Sequence, residues 1–257
     1  MFIYSIRSLL GCFLTSPLVC AFLFIYATEQ ILVTASESTS PSPPSAIVNL
    51  RIEGAFHTIY EAPIFTTPHN VTTALGGTHP CNGLNYGANP FPGPTCTSAL
   101  DDAARSAGFT WDGPFYDTYD DYFITRIAHS AANANTSWGI LLNFAFTPVG
   151  GCQQEVGTGA HVLFAYDAFN AAHFLALTVD GSSTVHAGEP VTLVVTDGMT
   201  GYPLEGAKVY AESGGEELVT DGTGKVTFTF KDPSVVVFKA EQTGSIRSNR
   251  AKVTITS

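Results

Sequence analysis

The sequence predicts an α+β domain followed by an all-β sandwich, with a signal segment at the amino terminus. Three observations lead to this fold class. The 257 residues include 24 glycines and 15 prolines together with many Val and Thr, which favours short strands joined by tight turns. Residues 97–107 are the one stretch with the pattern of an amphipathic helix. After residue 173, Val- and Thr-rich segments alternate regularly with turn signals, as in a sandwich of short strands.

The amino-terminal segment, residues 1–35, is expected to direct the chain out of the cytoplasm. Residues 8–27 are uncharged, mostly apolar and about long enough to cross a bilayer. Two interpretations stay open: a signal peptide removed after the small residues at 33–35, or an uncleaved signal anchor. Because Arg7 lies on the cytoplasmic side of the apolar run, both place the remaining chain outside. We expect a secreted, extracellular protein, or a single-pass anchored one that meets the membrane only through residues 8–27.

Two further features fit an extracellular chain. Residues 36–46 are rich in Ser and Pro and predict an extended linker. Asn70 and Asn135 each begin an Asn-x-Ser/Thr triplet, which is an N-glycosylation acceptor in a secreted protein. We therefore expect a glycoprotein modified at Asn70 and Asn135.

The charge balance argues against polyanionic partners. The sequence has 22 acidic residues against 11 Lys and Arg, a formal net charge of -11, and no basic run. Nucleic acids and anionic membrane surfaces are bound by proteins with the opposite balance. We expect neither of them as a partner.

The first domain, predicted over residues 47–169, begins with a hairpin. Residues 47–53 alternate apolar and polar side chains, and residues 58–65 have the composition of a returning strand. Gly54 and His57 bracket the turn between them. This hairpin starts the sheet of the α+β domain.

The helix at residues 97–107 follows the hairpin. Thr97 or Ser98 is expected to cap it, and Gly108 to end it. A hairpin, one helix across it and three more strands make a small α+β domain. The three later strands are predicted at residues 122–127, 138–146 and 161–166.

The second domain, residues 173–257, is predicted as a β-sandwich, joined to the first through residues 167–172. Turn sequences such as DGMTGYP and TDGTGK separate its strands. Six strands are predicted, with the sequences LALTV, VTLVVT, AKVYAE, KVTFTF, VVVFKA and AKVTIT.

Residues 47–169 resemble the transcobalamin carboxyl-terminal-like domain, a β-grasp-like module of largely unknown function in bacterial and fungal secreted proteins. The residues that carry the resemblance are Glu53-Gly54 after the first strand, Trp138-Gly139 and Asn143 in a later strand, and Gly159 before the last. Relatives commonly have Gly-Asp where this chain has Gly159-Ala160. In transcobalamin this domain closes over cobalamin against a large helical barrel. Since this chain has no such barrel, we expect no cofactor.

The second domain resembles immunoglobulin-like extracellular modules. It carries GYPLEGAKV from Gly201 and TDGTGK from Thr220, which are similar to a turn and a hairpin of those modules. Such modules act as spacers or adhesive units on cell surfaces, and the resemblance specifies a fold without a ligand.

Three cysteines, Cys81, Cys96 and Cys152, follow the signal segment. In an oxidising compartment they allow three alternative single bridges, and one thiol is always left over. The resemblance implies a disulfide between Cys81 and Cys152, because similar fungal sequences carry matching cysteines. Cys96 is then free or paired between chains.

No motif predicts catalysis, so the chain is not expected to be an enzyme. The sequence has no G-x-S-x-G elbow, and its seven histidines form no H-E-x-x-H pair. Adjacent acids on a strand point to opposite faces and cannot act on one substrate together. We expect no catalytic residue and no metal. The weaker alternatives are a carbohydrate-active enzyme using acids in residues 112–121, and calcium bound by Asp112, Asp117, Asp120 and Asp121.

The stretch WDGPFYDTYDDYF, residues 111–123, holds the best candidates for a binding surface. Trp111 and Phe123 are expected in the core. A loop then remains whose rings and acids predict a ligand platform, with packing within the loop as the alternative. The platform residues are Phe115, Tyr116, Tyr119, Asp117 and Asp120.

These observations predict a secreted or cell-surface, non-catalytic protein that binds or adheres to an unknown extracellular ligand. A glycan or another cell-wall component is one such ligand. Two alternatives to this prediction stay open: a carbohydrate-active enzyme and a passive structural spacer.

Overall fold

The first part of the structure is a mixed sheet crossed by one helix. The computed structural model describes residues 44–257, so the predicted signal segment and most of the predicted linker lie outside the described residues. The elements are β1 (Ala46–Glu53), β2 (Thr58–Thr66), β3 (His69–Thr73), β4 (Gly77–Cys81), α1 (Cys96–Ala107), β5 (Trp111–Asp112), β6 (Phe115–Tyr116), β7 (Asp121–Tyr122), β8 (Arg126–Ile127), β9 (Ser130–Ala131), β10 (Trp138–Leu142), β11 (Ala145–Phe146) and β12 (His161–Tyr166).

The main sheet has five strands in the order β11-β10-β12-β1-β2. Strand β1 runs antiparallel to β2, as the sequence predicts, and parallel to β12. The turn of the hairpin is closed by a hydrogen bond of 3.0 Å from the amide of Gly54 to the carbonyl of His57. Side chains of β1 alternate across the sheet, so Val48, Leu50 and Ile52 lie in the core.

Helix α1 packs against β1 and β2 through Ala99, Leu100 and Ala103, which are fully buried. It ends at Gly108, whose left-handed backbone (φ 75°) suits a glycine. The predicted cap at Thr97 or Ser98 is wrong. Thr95 is the N-cap, because its hydroxyl accepts from the Ser98 amide at 3.0 Å while the Ser98 hydroxyl accepts from the Thr95 amide at 2.8 Å. This reciprocal capping box lengthens the helix by one residue.

The predicted strand at residues 122–127 is wrong. It is split into β7 and β8, because the segment between them turns back along the chain instead of joining the main sheet. The amide of Phe123 donates to Pro114 and that of Thr125 to Asp112, both at 2.9 Å. Phe123 is consequently 51% exposed instead of lying in the core. Trp111 is buried, as expected.

The predicted strand at residues 138–146 is also interrupted. Asn143 and Phe144 both have positive φ, 51° and 62°, as in the two-residue hairpin turns that match the twist of a sheet. The turn reverses the chain, so β10 pairs with β11 and also with β12. The strand predicted at residues 161–166 is present as β12.

The second part consists of a three-stranded sheet, β13-β15-β18, and a five-stranded sheet, β14-β20-β19-β16-β17. All six predicted strands are present, and the sequence missed the short β14 and β17. The strands are β13 (Leu175–Val179), β14 (Thr184–His186), β15 (Pro190–Asp197), β16 (Lys208–Ala211), β17 (Glu217–Val219), β18 (Lys225–Thr229), β19 (Ser234–Glu241) and β20 (Ala251–Thr256).

The two sheets of the second part share one hydrophobic core. Leu177 and Leu193 from the smaller sheet pack with Val209, Phe238 and Val253 from the larger one. Strand β15 alternates strictly between buried and less buried residues, as expected when one face of a sheet covers a core. The described chain is therefore mostly β, as the composition predicts.

A third cluster joins the two parts. Leu163 and Ala165 of β12 pack with Phe174 and Ile246. Backbone contacts group the described residues 44–257 into one compact unit, and the boundaries at residues 169 and 173 stay a prediction. Within the described residues, no helix is long and apolar enough to span a membrane.

Buried charges lie at the same junction. Glu53, at the end of β1, is 1% exposed and accepts from Lys239 Nζ at 2.7 Å and from Arg247 Nε at 2.9 Å. Lys239 is 2% exposed, contacts Thr58 and lies 3.1 Å from Glu61 Oε2. The buried charges of Glu53 and Lys239 thus each have an opposite partner, which is the condition for tolerating them in an interior.

The disulfide joins Cys81 and Cys152, as the family resemblance implies. Among the described cysteines, Cys96 is unpaired and buried, and burial raises the pKa of its thiol. The bridge ties the end of β4 to the glycine-rich turn between β11 and β12. An internal disulfide is compatible with an extracellular protein.

Replacing Lys239 by methionine should lower the free energy of unfolding by about 3 to 5 kcal/mol, because Glu53 and Glu61 lose a buried cation. Urea unfolding measures this. The control is Lys208→Met, which removes an exposed bridge to Glu217 and Glu241 and should change the free energy of unfolding far less, because solvent screens exposed ion pairs. Equal losses in the two variants would contradict the assignment of the buried cluster.

Replacing both Cys81 and Cys152 by alanine should cost about 4 kcal/mol in the loop-entropy estimate, since the bridge spans 71 residues. Cys96→Ala should cost only about 1 kcal/mol, as a typical point substitution does. Peptide mapping of alkylated protein checks the pairing. A crosslinked peptide containing Cys96 would show that the pairing is wrong.

Candidate functional site

The irregular segment between β5 and β9 forms one side of a cavity of about 470 Å³. Cavities of this size accommodate small-molecule ligands in other proteins. Strand β10 supplies further wall residues, and the turn that carries Cys152 supplies two glycines. The lining consists of Tyr116, Tyr119, Asp121, Tyr122, Phe123, Ile124, Trp138, Ile140, Gly150 and Gly151.

Three aromatic rings of this lining are open to solvent. Tyr116, Tyr119 and Phe123 are 48%, 69% and 51% exposed. The rings of Tyr116 and Phe123 meet edge to face with their centroids 6.5 Å apart. Large rings grouped on a concave surface form an apolar patch that is exposed to solvent. Such patches are a feature of ligand-binding grooves.

The segment is held in place by a second set of aromatic contacts behind the exposed rings. Strand β6 pairs with β7, so Phe115 lies opposite Tyr122. Phe115 stacks on His79 at 3.6 Å. The Tyr122 hydroxyl lies 2.7 and 2.8 Å from the carbonyls of Val71 and Gly77, either of which can accept its single proton. These contacts attach the cavity wall to the β3-β4 hairpin.

The structure separates the five predicted platform residues. Tyr116 and Tyr119 line the cavity, whereas Phe115 is half-buried against His79. The carboxylate of Asp120 accepts from Gln153 at 3.0 Å and does not line the cavity. Asp117 is exposed on the loop. The cavity therefore combines two of the predicted rings with residues that the sequence did not single out.

Tyr86 connects the loop between Cys81 and Cys96 to the loop between β6 and β7. Its hydroxyl donates to the carbonyl of Thr118 at 2.7 Å. The ring itself is exposed. Tyr86 thus restrains the backbone beside Tyr119 without lining the cavity.

Asp121 is the buried acid of the cavity. One oxygen accepts from the Tyr122 amide at 2.7 Å and the other from the Cys152 amide at 2.9 Å. Burial raises the pKa of Asp121 to about 7, although hydrogen bonds from the amides of Tyr122, Cys152 and Gln153 lower it. The charge of the adjacent Asp120 raises it slightly. The carboxyl group therefore changes its charge near neutral pH.

Gly150 and Gly151 allow this close approach. A side chain at Gly150 would collide with the Asp121 carboxylate, and one at Gly151 with the Thr97 hydroxyl. The Gly151 carbonyl also accepts from the Thr97 amide at 3.1 Å. The glycine pair thus connects the cavity to the disulfide at Cys152 and to the first turn of α1.

One polar group of the lining has no partner. The indole nitrogen of Trp138 is buried and makes no hydrogen bond with the described residues. The ring packs edge to face on Tyr166, with centroids 5.6 Å apart. An indole N–H is only a donor, so a partner must supply an acceptor.

A histidine–acid cluster at His69, outside the cavity, is structural. His69 binds the Thr67 carbonyl through Nδ1 at 2.8 Å and Asp101 through Nε2 at 3.2 Å. Asp101 also binds Arg105, and accepts from Trp111 Nε1 at 3.2 Å. The hydrogen bond to Asp101 raises the pKa of His69. With both ring nitrogens occupied, His69 has no free nitrogen to act as a general base.

Metal ligands are not assembled in the part of the chain that the structure describes. Within residues 44–257, no three His, Cys, Asp or Glu side chains are grouped to hold an ion. Asp112 instead accepts from the amides of Leu75 and Gly113 at 3.0 and 2.9 Å. Asp120 binds Gln153. Asp112 and Asp120 thus make hydrogen bonds to groups of the protein itself.

Neither the protein-family models nor the curated proteins contain a match to this chain.

The sequence could have indicated part of what it missed. Gly150-Gly151 directly precede Cys152, and a glycine pair beside a disulfide indicates a close backbone approach. No local pattern marked Trp138 and Phe123 as neighbours, because they come from different elements. Their proximity required the fold.

Asp121 should make stability depend on pH. Its pKa rises from 3.8 to about 7 on folding, so the folded state holds the proton more tightly and stability falls as the pH rises between these values. Between pH 5 and 8 the free energy of unfolding should fall by about 3 kcal/mol more than in Asp121→Asn. Urea unfolding at both pH values measures this. Asp117→Asn, in the exposed loop, should behave like the native protein. Identical pH profiles for native protein and Asp121→Asn would contradict the shifted pKa.

Proposed function

We propose that the chain is a secreted or cell-surface, non-catalytic protein that binds a neutral carbohydrate of extracellular or cell-wall material in this cavity. The observation that carries the proposal is the group of solvent-exposed rings, Tyr116, Tyr119 and Phe123, beside the buried acid Asp121. The internal disulfide is compatible with the proposed location.

Carbohydrate fits both kinds of surface in the cavity. A sugar ring has apolar C–H faces that pack on aromatic rings, and hydroxyl groups that donate to a carboxylate. The exposed rings offer the first contact and Asp121 the second. A neutral sugar is favoured because the chain carries a formal charge of -11, which repels anionic polymers.

The number of acids in the cavity supports binding without turnover. Glycoside hydrolases use two carboxyl groups roughly 5 to 10 Å apart on either side of the bond. Among the described residues that line this cavity, Asp121 is the only acid. A single carboxyl group suffices to hold a hydroxyl but lacks the partner for hydrolysis.

A carbohydrate-active enzyme is the second candidate, and one observation favours it. The pKa of Asp121 is raised to about 7, as in the general acids of glycosidases. Release of reducing sugars from polysaccharides, abolished in Asp121→Asn, would establish this candidate. Turnover that persists in Asp121→Asn would remove Asp121 from the mechanism.

We assign residues 47–169 to a β-grasp-like module similar to the transcobalamin carboxyl-terminal-like domain, and residues 173–257 to an immunoglobulin-like module. The β1-β2 hairpin beneath α1 supports the first assignment. Two sheets around one core support the second. In this proposal the second module spaces or presents the first, which holds the cavity.

Binding of the full chain to a panel of neutral glycans tests the proposal. Tyr116→Ala and Phe123→Ala should each weaken binding about tenfold, because each removes an aromatic face worth roughly 1 kcal/mol or more. Isothermal titration calorimetry measures this. Tyr202→Ala is the control, since Tyr202 is also a solvent-exposed ring and lies outside the cavity. If no glycan bound above background, the passive spacer would replace this proposal.

A further inference from the structure

A second cavity, of about 470 Å³, lies where the second part of the structure packs on the main sheet. This junction cavity shares no lining residue with the cavity formed by Tyr116 and Phe123. Strands β1, β2 and β12 supply one wall, and β13 with the segment before β20 supplies the other. Its walls include Arg51, Glu61, Phe144, Leu163, Leu177 and Arg250.

Arg51 of this lining is a buried cation without an anion. It is 6% exposed, and it forms no ion pair with the carboxylates of the described residues. Its Nη1 atom donates to the Arg247 carbonyl at 2.7 Å. The Nε and Nη2 atoms make no hydrogen bond to the described residues, and neither nitrogen is completely enclosed. Two of the three guanidinium nitrogens are therefore available to a ligand.

The two acids whose charges act on Arg51 pair with other cations. Glu53 binds Lys239 and Arg247 at 2.7 and 2.9 Å. Glu61 lies opposite Arg51 in the β1-β2 ladder, but its Oε2 atom is 3.1 Å from Lys239 Nζ. The junction thus holds three cations, Arg51, Lys239 and Arg247, against the two carboxylates. One positive charge is left without a partner.

Arg51 cannot remove this charge by releasing a proton. Burial lowers the pKa of Arg51, while the charges of Glu53 and Glu61 raise it. A guanidinium group in a protein nevertheless stays protonated at neutral pH. Because an unpaired charge is costly to hold away from water, a bound anion would be stabilised beside Arg51.

The wall beside Arg51 is apolar. The Arg51 Cζ atom lies 5.7 Å from the centre of the Phe144 ring. This ring packs against Gly198, where a side chain would collide with it. Leu163 and Leu177 line the same cavity. A ligand that matches these walls has an anionic end and an apolar body.

The other charged groups of the lining limit the ligand to one negative charge. Arg250 is paired with Glu212 at 2.8 Å, so it offers no unpaired charge. Glu61 lines the cavity as well, and its carboxylate would repel a second anionic group. The single charge of Arg51 is therefore matched by a single carboxylate.

We propose that the junction cavity binds a small monocarboxylate with an apolar chain, of the kind represented by medium-chain fatty acids. The carboxylate accepts from Nε and Nη2 of Arg51 as a bidentate pair, and the chain lies along Phe144, Leu163 and Leu177. This site goes beyond the proposed carbohydrate binding and does not depend on it.

The test compares three ligands of equal chain length by isothermal titration calorimetry on the full chain. Octanoate should bind at least about tenfold tighter than octanol, because only the carboxylate makes charge-assisted hydrogen bonds to Arg51. Suberate carries a carboxylate at both ends of the same chain. It should bind more weakly than octanoate, because Glu61 repels its second carboxylate.

Arg51→Met removes the charge and keeps a long apolar side chain. It should lower the affinity for octanoate to that for octanol. Arg126→Met is the control, because Arg126 also donates to a backbone carbonyl, that of Ala128 at 3.1 Å, and lies outside the junction cavity. The preference for octanoate should survive in Arg126→Met. Circular dichroism confirms that both variants are folded.

Three results would overturn the inference: no binding of octanoate, equal binding of octanoate and octanol, or a preference for octanoate that persists in Arg51→Met. Suberate binding as tight as that of octanoate would overturn the selectivity for a single charge. The comparison of ligands uses the native chain, so it decides the question even where Arg51→Met does not fold. None of these results bears on carbohydrate binding, whose aromatic residues line the other cavity.

Discussion

The arrangement of the described chain depends on the ion pairs that buried Glu53 makes with Lys239 and Arg247. Apolar contacts such as those of Leu163 with Phe174 are non-directional, so they tolerate small shifts of one surface over another. The two oxygens of Glu53 instead accept from two different cations, Lys239 and Arg247. A shift of either surface would leave a buried charge unpaired, which costs several kcal/mol. The ion cluster therefore sets the orientation of the sandwich in the second part relative to the main sheet of the first part.

In this orientation the second part covers one face of the main sheet, and α1 covers the other. Both faces of β1 and β12 are thereby closed at the end that carries Glu53. The open part of the first module is the irregular segment beside β10, where Trp138 and Phe123 line the cavity. Loops held by a rigid scaffold commonly carry binding residues. Here the disulfide at Cys152 and the hydrogen bonds to Asp121 supply that rigidity.

Local patterns predicted the regular elements well. The β1-β2 hairpin, β12 and the six longer strands of the sandwich follow alternation and turn residues that lie within a few positions. The failures occur where hydrogen bonds of the backbone compete with the predicted pattern. Thr95 replaced Thr97 as cap because Ser98 completes a reciprocal pair with it. Phe123 left the predicted core because its amide pairs with Pro114, so the segment folds back instead of extending.

The sequence by itself determined the β-rich class, the acidic balance and the positions of the turns, because composition and short-range periodicity encode these properties. Only the tertiary structure decided which side chains share an environment. Lys239 and Glu53 are 186 residues apart, and Asp121 owes its pKa of about 7 to burial beneath a turn that carries Cys152. The burial of a side chain and its hydrogen-bond or ion-pair partners depend on all the residues that surround it in the folded chain. No stretch of sequence contains those neighbours, so the cavity and its chemistry emerge only when the chain is folded.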